Sequence, residues 1–295
     1  MKTAIFLCLV IIIIMGCQAQ QKTPLFKVDK SNNTLLWQVS GKGLAKPSFL
    51  FGTFHLLCKD DIHFSDQLQL AIKYADDIYM ELDMDDPSTL LGGLLYMNMK
   101  DNKKLEDLCT PAEYKKITNY FNDTLHTPLI MLQKAKPYFL VALLYPKMMV
   151  CKNYSGVEEE LVKLAKDDKK DIHGLETIAF QSSIFDSIPY EVQAKELLKN
   201  IDSMDTYKDE FDTLMLAYKN QQLAAMDTLF TKSDISGYDD LLLNNRNANW
   251  VKQLNEIMKN KSVFVAVGAG HLLGEKGLIS LLRKEGYKVE PLQNR

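Results

Sequence analysis

The sequence predicts an α/β chain, with a mixed β-sheet core, covering helices and a mostly helical middle segment. Three observations predict it. Short, strongly apolar runs lie toward both ends, at Ser48–His55, Asp77–Leu82 and Ser262–Gly268, and runs of that length bounded by turn residues read as buried strands. Residues from Asp85 to Asp186 look more helical. Strands at both ends with helices between them fit a sheet covered by helices.

Taken in order, Asn33–Val39 is the first strand, and Ser40-Gly41-Lys42-Gly43 turns the chain. Pro47 then opens Ser48–His55, so the two strands form a hairpin. Ser65 caps a helix whose apolar face is Leu68, Ala71, Ile72 and Ala75. Asp77–Leu82 is a short buried strand. Thr110-Pro111-Ala112-Glu113 combines a cap, a first-turn proline and a capping-box glutamate. Helices are expected at Pro137–Met149 and Val157–Asp167, followed by a strand at Asp171–Glu176. Further helices are expected at Pro189–Asn200, Phe211–Phe230 and Tyr238–Asn260. Ser262–Gly268 is a buried strand, Glu275–Glu285 a helix stopped by Gly286, and Tyr287–Leu292 the last strand.

The chain has 295 residues, 46% hydrophobic and 25% charged, an ordinary globular composition. Its net charge of -3 offers no basic field for nucleic acid, and clusters such as Lys166-Asp167-Asp168-Lys169-Lys170 are mixed in sign. No low-complexity linker interrupts residues 33–295, which are expected to form one domain.

Met1-Lys2 followed by the apolar run Ala4–Met15 has the length of a signal-peptide core, too short to span a bilayer. Ile14-Met15-Gly16-Cys17 resembles a bacterial lipoprotein box, which makes residues 1–16 the leader and Cys17 the acylated first residue. The rival readings are cleavage after Ala19 and an uncleaved anchor or buried strand. Residues 17–32 would be a tether. Either cleavage puts the mature chain in the cell envelope, lipid-anchored or periplasmic, and a lipid would be its only membrane attachment. Tyr138–Val150, interrupted by Pro146 and Lys147, reads as a buried helix. Of the mature cysteines, Cys58 and Cys151 each follow an apolar segment and are expected to pair, leaving Cys109 over; three buried thiols are the alternative. No C-x-x-C is present, which argues against structural zinc.

The chemistry is expected at two Gly-x-x-His motifs, Gly52-Thr53-Phe54-His55 and Gly268-Ala269-Gly270-His271, each where an apolar strand runs out. Ligand sites of open α/β sheets lie beyond strand carboxyl ends. Glu81 and Glu176 close two other strands. Two histidines with one or two carboxylates form an N/O set suited to a divalent ion, which could make a nucleophile of water. A spare glutamate could act as base, and Arg246 could neutralise the acids or hold an oxyanion. Taken singly, each residue also has a plain structural reading: a satisfied histidine, a salt-bridged glutamate, a tight turn at Gly268-Ala269-Gly270. That turn is not a dinucleotide fingerprint, and neither Gly-x-Ser-x-Gly nor His-Glu-x-x-His occurs. His63, His126 and His173 read as surface or structural residues.

Several stretches together carry a resemblance: Leu36-Trp37-Gln38-Val39-Ser40-Gly41, Phe51–His55, Tyr79-Met80-Glu81-Leu82, Gly174-Leu175-Glu176-Thr177 with Gln181, Arg246-Asn247 before Trp250, and Val263–Gly274. In order and spacing the chain from 33 to 292 resembles the TraB/GumN (TraB/PrgY/GumN) family. That family is similar to the Tiki proteins, membrane-anchored metalloproteases that clip Wnt ligands, and more distantly to erythromycin esterases and haem-binding ChaN-like proteins. The resemblance implies their shared α/β scaffold. It implies His55, Glu81 and His271 as ligands of a divalent metal (zinc, manganese or cobalt), Glu176 as base or further ligand, and Arg246 as transition-state stabiliser. An exported metal-dependent hydrolase of peptides or proteins is thus the leading expectation. The others are a non-catalytic envelope protein sequestering a peptide or haem, and a purely structural polar core.

Overall fold

The computed structural model describes residues 25–231 and 236–295. The expected leader, Cys17 and the alternative cleavage point after Ala19 lie outside the described residues. Within the expected tether, Phe26 is buried against Phe49 and Tyr74, and Val28 bridges to Leu292.

The strands among the described residues are β1 (Leu36–Ser40), β2 (Ser48–Thr53), β3 (Leu57–Cys58), β4 (Asp77–Met80), β5 (Tyr154–Ser155), β6 (Ile172–Gly174), β7 (Val263–Gly268) and β8 (Lys288–Pro291). Six of them form one mixed sheet in the order β6-β4-β7-β2-β1-β8. β6, β4, β7 and β2 run parallel, while β1 is antiparallel to both β2 and β8. β2 is buried along its whole length and β7 along all but Gly268, as parallel strands covered on both faces must be.

Period-two alternation divides the core. Phe49, Phe51, Ile78, Met80 and Phe264 face a layer containing helices Asp66–Tyr74 and Val157–Asp167. Leu50, Val263, Val265 and Val267 face helices Asn245–Ile257 and Leu278–Lys284, through residues such as Trp250, Leu254 and Leu282. The helical middle segment has its own cluster around Leu105, Ile117, Phe121, Leu140 and Leu197.

The mixed sheet with covering helices is the fold class the sequence predicts, and the first hairpin is present. Ser65 accepts from Leu68 N, and the Thr110–Glu113 capping box forms. Several boundaries differ. The expected helix Phe211–Phe230 is two helices, Met204–Lys219 and Leu223–Thr231. The chain breaks at Gln221, which is left-handed at φ 56° and whose amide accepts from Leu35 N at 3.0 Å. Pro137–Met149 divides into Pro137–Ala142 and Tyr145–Met148, since Pro146 has no N–H to carry the bonding through. Tyr238–Asn260 is helical as Asn245–Ile257, entered through a wide π turn at Asp240–Asn244. The last helix shortens to Leu278–Lys284. Helix Pro87–Tyr96 lies in the stretch read only as helical overall.

Cys58 and Cys151 form a disulfide with Cα atoms 5.9 Å apart, and Cys109 is free and half-buried. Closing a loop of 93 residues stabilises the fold by roughly 4–5 kcal/mol in the chain-entropy picture. Among the described residues no helix is long and apolar enough to cross a membrane.

Candidate active site

Four neighbouring parallel strands, β6, β4, β7 and β2, end on the same edge of the sheet. Glu176 follows β6, Glu81 follows β4, His271 sits in the short turn after β7, and His55 follows β2. The two glycines that open the motifs have steric reasons. A Cβ on Gly52 would come within 3.1 Å of the Ala269 backbone and 2.9 Å of Leu272 Cδ1. A Cβ on Gly268 would stand 3.3 Å from Glu81 Oε1, 3.8 Å from His271 Cδ2 and 4.0 Å from His55 Nε2. Gly268 is therefore the point on which both histidines and Glu81 converge, and its N–H donates to Glu81 Oε1 at 2.9 Å.

Arg246 fills the centre. Its Nη2 donates to Glu81 Oε2 at 2.6 Å and to Glu176 Oε2 at 2.8 Å, and its Nε reaches both Glu176 oxygens at 3.0 and 3.1 Å. Its Nη1 donates to Leu242 O at 2.9 Å, in the π turn, and lies 3.2 Å from His271 Nε2. The guanidinium also stacks 4.9 Å from Trp250, which lies 4.4 Å from the His271 ring. Both oxygens of Glu176 are engaged by Arg246, so the residue expected as base is arranged as the anchor of the arginine fork.

His271 is 4% exposed. Asn247 Nδ2 donates to Lys276 O at 3.0 Å, which turns Asn247 Oδ1 toward His271 Nδ1 at 2.7 Å. The proton therefore sits on Nδ1, and Nε2 is left as an acceptor toward Arg246 Nη1. Burial pushes this imidazole down to about 4, so it is neutral near pH 7.

His55 is built differently, with a side chain 78% exposed. Its Nδ1 donates to Glu158 Oε1 at 2.8 Å, and Thr53 Oγ1 donates to the same oxygen at 2.6 Å. The Glu158 hydrogen bond and charge raise His55 to about 9, a shift that water at the open ring edge moderates. Burial pushes Glu158 up, but His55 and Thr53 outweigh it and hold the carboxyl low. Burial likewise pushes Glu81 up, and His271, Arg246, His55 and the Gly268 N–H together bring it down to about 2. With His271 neutral near pH 7, Arg246 and the protonated His55 are the cations that hold Glu81 low there. Gln181 Nε2 adds a bond to Glu81 Oε2 at 3.1 Å.

The donors fit a divalent ion in type. Each histidine has its Nδ1 tied to an oxygen, an arrangement that orients metal-ligating imidazoles. His271 Nε2 and Glu81 Oε1 stand 3.7 Å apart. Two carboxylates against one guanidinium leave a formal negative charge beside them. The set is not closed, however. Among the described residues no three His, Cys, Asp or Glu side chains are grouped tightly enough to hold a metal. Arg246 binds Glu81 Oε2 and lies against His271 Nε2, so it already engages two of the three expected donors.

The structure thus brings His55, Glu81, Glu176, Arg246 and His271 together, and leaves His173 on Asp77 at 3.5 Å. Sequence reasoning missed Glu158, which opens a helix in the run Glu158-Glu159-Glu160 and reads as a solvated, dipole-favoured first turn. Gln181 and Asn247 stand in the quoted motifs without a role; their partners become visible only in three dimensions.

Imidazole, carboxylate and guanidinium groups are thus gathered at four parallel strand ends of an α/β sheet. The chain belongs to the TraB/PrgY/gumN family, which it matches over residues 35–291. It is similar to Metalloprotease TIKI2 of Danio rerio, 20% identical over 88% of this chain and 61% of that protein. It is also similar to the Metalloprotease TIKI homolog of Amphimedon queenslandica (21% identical, 89% of this chain and 62% of that protein) and to Metalloprotease TIKI1 of Homo sapiens (22%, 88% and 62%). The chain spans about three fifths of the length of these relatives. No solved structure gives a significant match.

Proposed function

We propose that this chain is an exported, cell-envelope metal-dependent hydrolase acting on peptides or proteins. The observation that carries the reading is the convergence of two Nδ1-tethered imidazoles and Glu81 on Gly268. His55, Glu81 and His271 would hold a divalent ion, zinc, manganese or cobalt. Such an ion, when bound, supplies Lewis-acid chemistry, polarising a carbonyl and acidifying water. Arg246 keeps a fixed positive charge at the site, where negative charge would develop on a carbonyl oxygen. Glu176 holds that guanidinium, while Asn247 and Glu158 set the two rings. Beside His55, Phe54 contacts Phe211 at 5.9 Å between ring centroids, and Phe211 stacks on Tyr145 at 5.4 Å. This partly open aromatic row suits apolar side chains of a peptide. The named activity of the similar metalloproteases supports the reading.

The leader-like run Ala4–Met15 and Cys17 support export with a lipid as the membrane attachment, and the Cys58–Cys151 bond suits an oxidising compartment. Residues 33–295 act as one domain in this reading, and the net charge of -3 supports no nucleic-acid partner.

The test is a peptide-library cleavage screen with metal-loaded protein, beside His55→Ala, whose exposed ring can be removed with the fold kept. Cleavage that depends on added metal and is lost in the variant is expected. One observation favours the non-catalytic alternative, namely that Arg246 already engages Glu81 and His271. In that case peptides survive incubation, or haem titration gives a Soret band that histidine variants lose.

A further inference from the structure

His55 and its partner Glu158 are far apart in sequence; the Glu158 helix packs on the sheet through Val157, Leu161 and Ala165, and a local clamp joins its entry segment to the His55 loop. β3 and β5 pair antiparallel, with Leu57 opposite Ser155 and Cys58 opposite Tyr154. Lys59 N donates to Asn153 O at 3.0 Å, and Val157 N donates to Phe54 O at 3.0 Å. A Cβ on Gly156 would lie 3.0 Å from His55 O, so the two backbones touch there. The covalent member of the clamp is Cys58–Cys151, three residues after His55 on one side and seven before Glu158 on the other. A two-residue strand pair is marginal by itself. His271 is held by Asn247 and Trp250, and Arg246 by its two glutamates; none of these contacts passes through the clamp.

We propose that Glu158 is a positioning residue for His55 and that the Cys58–Cys151 bond is a redox-sensitive latch on that pair. Oxidised, the bond keeps the Glu158 segment against the His55 loop. A dithiol would open the latch by two exchanges. One thiolate attacks a cystine sulfur to give a mixed disulfide, and the second displaces the remaining cysteine. Two electrons and two protons pass from the dithiol to Cys58 and Cys151, and the dithiol closes into its own disulfide. The His55 loop then loses its fixed relation to Glu158, while the His271 half stays in place.

The inference rests on the proposed metal site for its consequence but not for its first readout. Ring 13C relaxation of His55 and His271 is measured in the oxidised protein, in protein reduced with dithiothreitol and desalted anaerobically, and in Cys58→Ser/Cys151→Ser, Glu158→Ala and Glu158→Gln. The His55 ring is expected to be ordered in the oxidised protein and mobile after reduction, in the double serine variant and in Glu158→Ala. Glu158→Gln retains an acceptor for Nδ1–H and restores most of the order. His271 stays ordered throughout. Zinc(II) titration of the same samples should show binding weakened about 10- to 100-fold by Glu158→Ala, the effect typical of removing a ligand's outer partner. Reduction should weaken it in the same direction. A wild type that takes no zinc refutes the metal reading and leaves the relaxation comparison to decide the latch. An equally ordered His55 ring after reduction and in Glu158→Ala overturns the latch, whatever the zinc result. Far-UV circular dichroism identifies any variant that has unfolded, and the reduced wild type then replaces the serine variant.

Discussion

His55 and His271 come from the same Gly-x-x-His motif on adjacent parallel strands, with Gly52 opposite Val267 and Thr53 opposite Gly268. The molecule nevertheless builds them in opposite ways. The His271 side chain is 5% exposed, packed on Trp250 and bonded to Asn247, with a guanidinium against its other nitrogen. The His55 side chain is 78% exposed and held by Glu158. One wall of the site is therefore part of the core, and the other is an open arm set by a carboxylate and a stapled loop. The same four-residue pattern specifies where the chain leaves the sheet and leaves burial to the elements that later pack on it.

The largest effect should come from breaking the buried wall at its centre. Arg246→Ala strands Glu81 and Glu176, whose side chains are 15% and 4% exposed, without their cation. A loss of about 3–5 kcal/mol is expected from removing one partner of a buried ion cluster, read by urea unfolding. A variant as stable as wild type would show that the cluster is not buried as described.

The histidines then sharpen the contrast. His271→Ala removes a buried ring and its bond to Asn247, with an expected loss of about 2–4 kcal/mol. His55→Ala removes an exposed ring but also the cation on largely buried Glu158, which keeps its bond from Thr53, so a smaller loss of about 1–2 kcal/mol is expected. Equal losses would erase the distinction between the two walls.

Acid should separate them too. His271 is neutral when folded, with its pKa lowered from 6.5 to about 4, so its contribution is present above 6.5 and is lost as pH falls toward 4. Glu81, lowered from 4.5 to about 2, adds a second loss between those values. His55 has the opposite sign. Raised to about 9, it contributes below 6.5 and loses that contribution as pH rises toward 9, weakly because water screens the pair. Unfolding by urea across pH should therefore steepen below 6.5 in wild type, and His271→Asn should flatten the upper part of that fall. An unchanged profile in this variant would contradict the buried neutral imidazole.

Asn247→Ala leaves the buried His271 Nδ1–H without its acceptor and should cost about 1–3 kcal/mol, with the ring position kept by Trp250. Zinc binding should still weaken about tenfold, because the tautomer is no longer fixed. Unaltered affinity would remove Asn247 from the site.

Much of this was legible in the sequence where one residue type has one structural use. Apolar runs ending at Glu81, Glu176, Gly52 and Gly268 marked the four strand ends, and their common edge follows from parallel pairing. Glu158 was not legible, because an acid in the first turn of a helix already has an ordinary reason to be there. Nor was the break at Gln221, where a tertiary bond to Leu35 supports a backbone conformation that glutamine does not advertise. That Glu176 faces Arg246, and not a free crevice, depends on how helix Asn245–Ile257 packs, which no local pattern encodes.

In the proposed function these unequal halves make one divalent-metal site. The most direct measurement is metal content by mass spectrometry after zinc or manganese loading and exhaustive dialysis, for wild type, His55→Ala and His271→Ala. One tightly held ion is expected in wild type and none in either variant, with His55→Ala still folded. Wild type that retains no ion, or variants that retain as much as wild type, would contradict it.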